Sequence, residues 1–249
     1  MRLIINGCNG KMGNILCKMA IEKKYDICGV TPKDFFSNDF KVYKNIEKID
    51  DNYDVVIDFS HNDAVESVIN YCLDKRINAV ICTTGLSEKI NDIINKASEK
   101  IAILKSSNAS MGINLINLII KKISPLMKEF NFDIDILEKH HNRKPDAPSG
   151  TALFFANTIN KSLDNKLNIK FDDKNYVRKK NDLFITSIRS GNSKGEHSVS
   201  FENDSESITI KHKAYSREIF AQGALKSAEF IKDKKTGLFS TYDIYKNLL

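Results

Sequence analysis

The sequence predicts an α/β fold, with a mainly parallel sheet in its first half and a mixed arrangement in its second. Three observations carry this reading. Short β-branched runs alternate with helix-length amphipathic segments through the first hundred or so residues, an order that needs crossovers and therefore parallel strands. The runs close on glycine or small polar residues, as strand ends that hold ligands do. After Met111 the order changes to helix, strand, helix and then three strand-like runs.

In order, the first-half strands are RLIIN (2–6), YDICGV (25–30), DVVIDFS (54–60), NAVICTTG (78–85) and IAILKSS (101–107). Each is rich in Val and Ile and bounded by turn residues. KMGNILCKMAIEKK (11–24) has the 3.6-residue apolar period of a helix. The strand ends fall at 7–13, 58–60, 82–85 and 106–110. In the second half GINLINLIIKKISPLMKEF (112–130) reads as a helix, and FDIDILEKHH (132–141) alternates with the period of a half-buried strand. SGTALFFANTINKSL (149–163) is a second helix. LFITSIRSG (183–191), GEHSVSFEN (195–203) and ESITIKHKA (206–214) follow, separated by Gly, Asn, Asp and Ser clusters as in an antiparallel meander. REIFAQGALKSAEFIKDKK (217–235) is helical again.

The chain has 249 residues, 41% hydrophobic and 28% charged, enough for one large core or two modest ones and too apolar for a disordered chain. Its five cysteines form no CxxC pair, so reduced thiols are expected, without a disulfide framework or zinc knuckle. The net charge of +6 is spread along the chain without an aromatic-interleaved basic patch, so no nucleic-acid partner is expected. No apolar run approaches spanning length, and MRLIING begins a strand at once, with no charged region leading into an apolar stretch. The expectation is a soluble, cytoplasmic protein without a membrane partner.

Gly7-Cys8-Asn9-Gly10-Lys11-Met12-Gly13 follows the first strand and opens a helix. Glycines permit a tight turn and close approach of backbone N–H groups to a pyrophosphate, so this is a candidate dinucleotide loop. Asn9 stands where a glycine is usual, and Asn tolerates left-handed backbone. At the end of the second strand no carboxylate is placed to hold a ribose 2′-hydroxyl, whereas Thr31 and Lys33 could meet a 2′-phosphate, which favours NADPH over NADH. Cys8 reads first as a small residue in a tight turn; the alternative is a thiol whose pKa the helix N-terminus depresses, open to oxidation or alkylation that blocks the cofactor.

LEKHHNRKPDAPSGTA (137–152) poses the second question. Successive strand side chains point to opposite faces, so His140 and His141 cannot easily share a metal, and only His197 and His212 could join from afar; no metal is expected. Acid–base chemistry suits the stretch better. One histidine facing a cleft donates a proton, its neighbour binds substrate, and Lys144 adds positive charge. Ser149-Gly150-Thr151 starts a helix whose first N–H groups make an anion site.

With DFS at 58–60, TTG at 83–85, SNASMGIN at 107–114, EKHHNRKPDAPSGTA at 138–152, RSGNSKGEH at 189–197 and HKAYSREIFAQGAL at 212–225, the chain resembles the dihydrodipicolinate reductase family over nearly its whole length. The resemblance implies a Rossmann-like dinucleotide-binding domain at 1–109 and 214–249. It also implies a mixed α/β substrate-binding domain at 110–213 that builds a homotetramer. It implies the reduction of 4-hydroxy-tetrahydrodipicolinate, a cyclic dicarboxylate, by NADPH or NADH in the diaminopimelate route to lysine. On this pattern His140 is the general acid and Lys144 the catalytic lysine. His141, Ser149, Gly150 and Thr151 bind substrate. Gly7, Cys8, Asn9, Gly10, Lys11 and Met12, with Cys82, Thr83 and Thr84 and with Ser106, Ser107, Asn108 and Ala109, hold the cofactor. Cys82 stands where the family commonly has glycine. A related two-domain dehydrogenase would not need the paired histidines with Lys144, and a noncatalytic nucleotide sensor would tolerate their loss.

Overall fold

The computed structural model describes residues 1–171 and 176–246; residues 247–249, the end of the segment expected to run from 214, lie outside the described residues. The chain forms two compact units, Met1–Met111 together with the segment from Arg217 onward, and Gly112–Ser216.

The first unit holds a parallel sheet of β1 (Arg2–Asn6), β2 (Asp26–Val30), β3 (Lys41–Tyr43), β4 (Val55–Asp58), β5 (Asn78–Ile81), β6 (Ala102–Lys105) and β12 (Gly237–Ser240), in the order β12-β6-β5-β4-β1-β2-β3. Strand order reverses at β1, between β2 on one side and β4 on the other, the switch point at which such sheets bind ligands. Both faces are covered, which explains why the strands read as continuous apolar runs. Leu3, Ile5, Ile57 and Val80 pack under α1 (Lys11–Glu22) and α6 (Glu218–Ile231). Ile4, Val56 and Ile81 pack under α2 (Asn62–Lys75) and α3 (Glu88–Ser98). Small residues let α6 approach closely, and Ala221, Ala224 and Ala228 are fully buried. The end of this helix is tied to the sheet by Asn78, whose Nδ2 donates to the carbonyls of Ile231 and Lys234 at 2.8 and 2.9 Å.

The second unit has a five-stranded mixed sheet in the order β11-β10-β7-β9-β8, from β7 (Asp133–His140), β8 (Asn168–Phe171), β9 (Asp182–Arg189), β10 (Glu196–Glu202) and β11 (Ser207–Lys213). The expected meander of the last three runs is corrected here. β9 lies parallel to β7, and β7 separates it from β10, which is antiparallel to both β7 and β11. The crossover between β7 and β9 contains α5 (Gly150–Ser162), and a parallel pair needs such a crossover. α4 (Met111–Glu129) and α5 cover one face, burying Ile120, Phe155 and Ile159 against Ile134, Ile136, Leu183, Ile185, Val199 and Phe201. On the other face Leu137 and Ile188 remain exposed.

Candidate functional site

In the first unit the glycine turn is built by packing. Gly7 has φ +81°, and a side chain at Gly13 would meet the Gly7 carbonyl at 2.0 Å, so the start of α1 lies directly on the turn. The N-cap of α1, Gly10, offers no side chain to its first N–H groups, which leaves the helix dipole and its donors for a ligand anion. A cleft of about 590 Å³ opens there, lined by Gly10, Lys11 and Met12, by Cys82, Thr83 and Thr84, and by 106–109. Phe59, Ser60, His61, Arg217 and Phe220 complete it, residues to which the sequence reading gave no role. The Ser106 hydroxyl is buried without a hydrogen-bond partner, a group awaiting a ligand. The cradle and the orphaned hydroxyl together fit a dinucleotide.

Several expectations about this loop change. Cys8 is fully buried, and a side chain on Gly29 would strike its Sγ at 2.7 Å. Desolvation pushes its thiol up to about 11 and outweighs the backbone hydrogen bonds that favour the thiolate, so the structure supports the small residue in a tight turn over a thiol activated by the helix N-terminus. Asn9 is absent from the non-glycine residues with positive φ; its Oδ1 instead accepts from Thr31 Oγ1 at 2.8 Å. Thr31 is thereby committed and 1% exposed, out of reach of a phosphate. Lys33 is exposed but does not line this cleft; it borders a separate hollow with Phe35, Phe36, Tyr43 and Lys44.

Beneath the cleft wall lies a buried carboxylate, Asp58. Asn6 Nδ2 and Ser60 Oγ donate to its Oδ1 at 2.7 and 2.6 Å, and Thr83 Oγ1 donates to Oδ2 at 2.6 Å.

In the second unit, Glu138 and His140 share a face of β7 because they are two residues apart. His140 Nδ1–H donates to Glu138 Oε2 at 2.5 Å. Arg189, opposite His140 across the β7–β9 pair, holds the same carboxylate with two bonds of 2.7 and 3.0 Å, and Ser149 N donates to it at 3.2 Å. Burial pushes the Glu138 carboxyl up, but the hydrogen bonds from His140 and Arg189 prevail and bring it down to about 2. The carboxylate is therefore ionised at any working pH, and His140 keeps its proton on Nδ1. Its Nε2 faces Gly195, where φ is +142° and a side chain would come within 3.1 Å of that nitrogen.

His197, opposite Glu138 across β10, is held neutral: burial first, then the neighbouring His140, lowers its pKa to about 3. The Ser149 hydroxyl accepts from Ala152 N, leaving its proton for His197 Nε2 at 3.0 Å. Glu138, His140 and His197 bring donor atoms within 4.8 Å of one another, a grouping that could hold a metal ion. The carboxylate is already filled by Arg189, so the trio is built as a hydrogen-bond network.

Two sequence-separated motifs meet here. The β9–β10 loop receives His141 N on the Ser193 carbonyl at 2.9 Å and Asn142 N on the Gly191 carbonyl at 3.2 Å. Lys144 Nζ donates to both oxygens of Asp146 at 2.7 and 2.8 Å, which lowers the Asp146 pKa. Ser149 caps α5, and a side chain at Gly150 would meet nothing within 4 Å, so the first turn opens onto free space at Gly150, with Thr151 next in sequence. The predicted residues of the HHNRKPDAPSGT stretch thus gather at one end of β7. Glu138, Arg189, Gly195 and His197 were the residues the sequence reading left without a role.

Residues 1–109 match the family model described as dihydrodipicolinate reductase, N-terminus, and residues 112–245 match its C-terminus counterpart. The chain is 42% identical to the 4-hydroxy-tetrahydrodipicolinate reductase of Caldanaerobacter subterraneus subsp. tengcongensis, over 99% of this chain and 98% of that one. It is also 42% identical to the enzyme of that name from Clostridium tetani, over 96% and 95% of the two chains. Among solved structures it is similar in fold to the dipicolinate-bound dihydrodipicolinate reductase from Paenisporosarcina sp. TG-14, with a TM-score of 0.81, 22% identity, and coverage of 100% of this chain and 99% of that one.

Proposed function

Because the chain belongs to the dihydrodipicolinate reductase family, we propose a division of labour in which the first unit holds NADPH or NADH and the second protonates and orients the substrate. The reaction itself is the reduction of 4-hydroxy-tetrahydrodipicolinate to tetrahydrodipicolinate, an oxidoreductase step of lysine and diaminopimelate biosynthesis. The nicotinamide cofactor, when bound, supplies the hydride.

The uncapped start of α1 and the Gly7–Gly13 cradle support pyrophosphate binding by Gly10, Lys11 and Met12. Cys82, Thr83, Thr84 and 106–109 form the remaining walls, and the unpartnered Ser106 hydroxyl supplies a donor or acceptor. Gly7, Cys8 and Asn9 act through the backbone and the shape of the turn. Cofactor choice falls to Lys33 and its surroundings at the end of β2, and a preference for NADPH follows if Lys33 turns to a 2′-phosphate.

The observation that carries the catalytic reading is the Glu138–His140 pair. With Nδ1–H held by an ionised carboxylate, His140 presents Nε2 outward, oriented to hand a proton to the substrate. Lys144 meets a substrate carboxylate in place of Asp146 and stabilises negative charge as the ring accepts hydride and proton. That exchange is inexpensive, because Asp146 is half-exposed and such pairs contribute little. The first turn of α5, from Ser149 through Gly150 and Thr151, receives a carboxylate, and His141 adds a contact.

The open face of the second sheet supports a homotetramer. Leu137 and Ile188 are about 40% exposed there, beside Phe184, on a face that no helix covers among the described residues.

The deciding assay couples pyruvate and aspartate semialdehyde through a dihydrodipicolinate synthase and follows NADPH and NADH separately. Oxidation above the coupling blank is expected with at least one cofactor; none with either would overturn the reading. Light scattering at micromolar concentration tests the tetramer.

A further inference from the structure

Asp58 ends β4 with its side chain wholly enclosed. All three of its donors, Asn6, Ser60 and Thr83, are neutral, and among the described residues no Lys, Arg or His reaches it. Enclosing a carboxylate without a cation is costly, and a neutral Asn could tie the same strand ends together. The position therefore calls for an explanation in terms of charge.

Two of the donors, Ser60 and Thr83, line the dinucleotide cleft, so the carboxylate lies one layer of side chains below its surface. The cleft has two halves about the glycine turn. In doubly wound sheets the adenosine half lies over β2, which leaves the nicotinamide half over the ends of β4, β5 and β6. Asp58 ends β4, Thr83 follows β5 and Ser106 follows β6.

When a dihydronicotinamide gives up hydride, two electrons and a hydrogen nucleus leave together and the neutral ring becomes a cation. A fixed negative charge nearby lowers the energy of that cation relative to the neutral ring, and does so most effectively where water is excluded. We propose that Asp58 is a positioning residue that sets the charge of the nicotinamide half of the cleft, stabilising the oxidised cofactor relative to the reduced one and so favouring hydride release. Ser60 and Thr83 fix the carboxylate and keep water from it. Asp58 itself neither gains nor loses a proton in the step. This inference rests on the nicotinamide reading above.

Calorimetric titration of the full-length protein with NADPH, NADP+, NADH and NAD+, without substrate, tests it. Asp58→Asn keeps the size of the side chain and removes the charge. It is expected to raise the ratio of oxidised to reduced Kd by roughly tenfold for each cofactor that binds. Equal weakening of both forms, or an unchanged ratio, would make Asp58 a structural tie and overturn the proposal. Ser60→Ala removes a neutral donor that screens the carboxylate and leaves its charge in place, so the ratio is expected to fall; a ratio that rises or does not change would also overturn it. Should D58N not fold by circular dichroism, S60A still decides. If the wild type binds none of the four, the nicotinamide reading falls, and the inference with it.

Discussion

His140 Nδ1 lies 2.5 Å from a Glu138 carboxylate oxygen, and Arg189 grips that carboxylate from across the sheet with two further hydrogen bonds. The arrangement fixes both the ring and its tautomer, as a buried acid does for a catalytic histidine. Glu138→Gln keeps the shape but replaces an acceptor-only group with one that can also donate, so His140 loses its fixed tautomer and ring orientation. The expected outcome is a fall in kcat of roughly 100-fold or more with cofactor Kd unchanged. A kcat near wild type would show that the pair is merely structural.

Lys144 is tied to Asp146 rather than to the histidines. Lys144→Ala should therefore lower kcat by roughly 100-fold or more, because it removes charge that matters as the ring is reduced. Asp146→Ala leaves the cation in place and should cost far less. Steady-state kinetics of the two variants side by side checks the assignment, and equal losses would contradict it.

The sequence carried the local features. The β1–glycine turn–α1 unit is legible because its signals lie within a dozen neighbouring residues, and the exclusion of a His140–His141 metal pair follows from strand geometry alone. Glu138 was equally legible, being two residues from His140 on one strand. Arg189 and His197 were not: they reach Glu138 only through register, Arg189 by the parallel pairing of β9 and His197 by the antiparallel pairing of β10. A meander would have separated them from it. Cys8 kept two readings because a turn has no period to say which way a side chain points; burial decides between them by raising its pKa.

Gly195 leaves room in front of His140. Gly195→Ala forces a side chain onto a backbone with φ +142° and brings Cβ to 3.1 Å from Nε2. The strain should cost about 1–3 kcal/mol of stability, and the blocked nitrogen should lower kcat while cofactor affinity is retained. Thermal melts, kinetics and cofactor titration on one preparation separate these effects. Retention of full kcat would mean that Nε2 does not face the substrate.

Cys8 should resist alkylation in the native protein. Its thiol is fully buried and pushed up to about 11, so little thiolate exists near pH 7.5 and no reagent reaches it. Peptide mapping after iodoacetamide is expected to find Cys8 modified only when denaturant is present, with or without nucleotide. Labelling of the native chain that cofactor suppresses would restore the reactive-thiol reading.

Acid should destabilise this protein in two windows of the same sign that overlap between about pH 4.5 and 3. His197 has its pKa lowered from 6.5 to about 3, so between those values the unfolded chain takes up a proton that the folded chain refuses, and stability falls as pH drops below 6.5. Glu138, lowered from 4.5 to about 2, contributes stability that is present above 4.5 and lost as pH falls through that lower range. His197→Gln should remove the upper window only, flattening the change in urea midpoint between pH 6.5 and 5 while leaving the fall below 4.5. Glu138→Gln should do the reverse, at the cost of a lower midpoint at neutral pH because Arg189 then lacks its carboxylate. Urea midpoints for both variants and the wild type across this range check the assignment, and a wild-type slope between pH 6.5 and 5 in H197Q would remove His197 as its source.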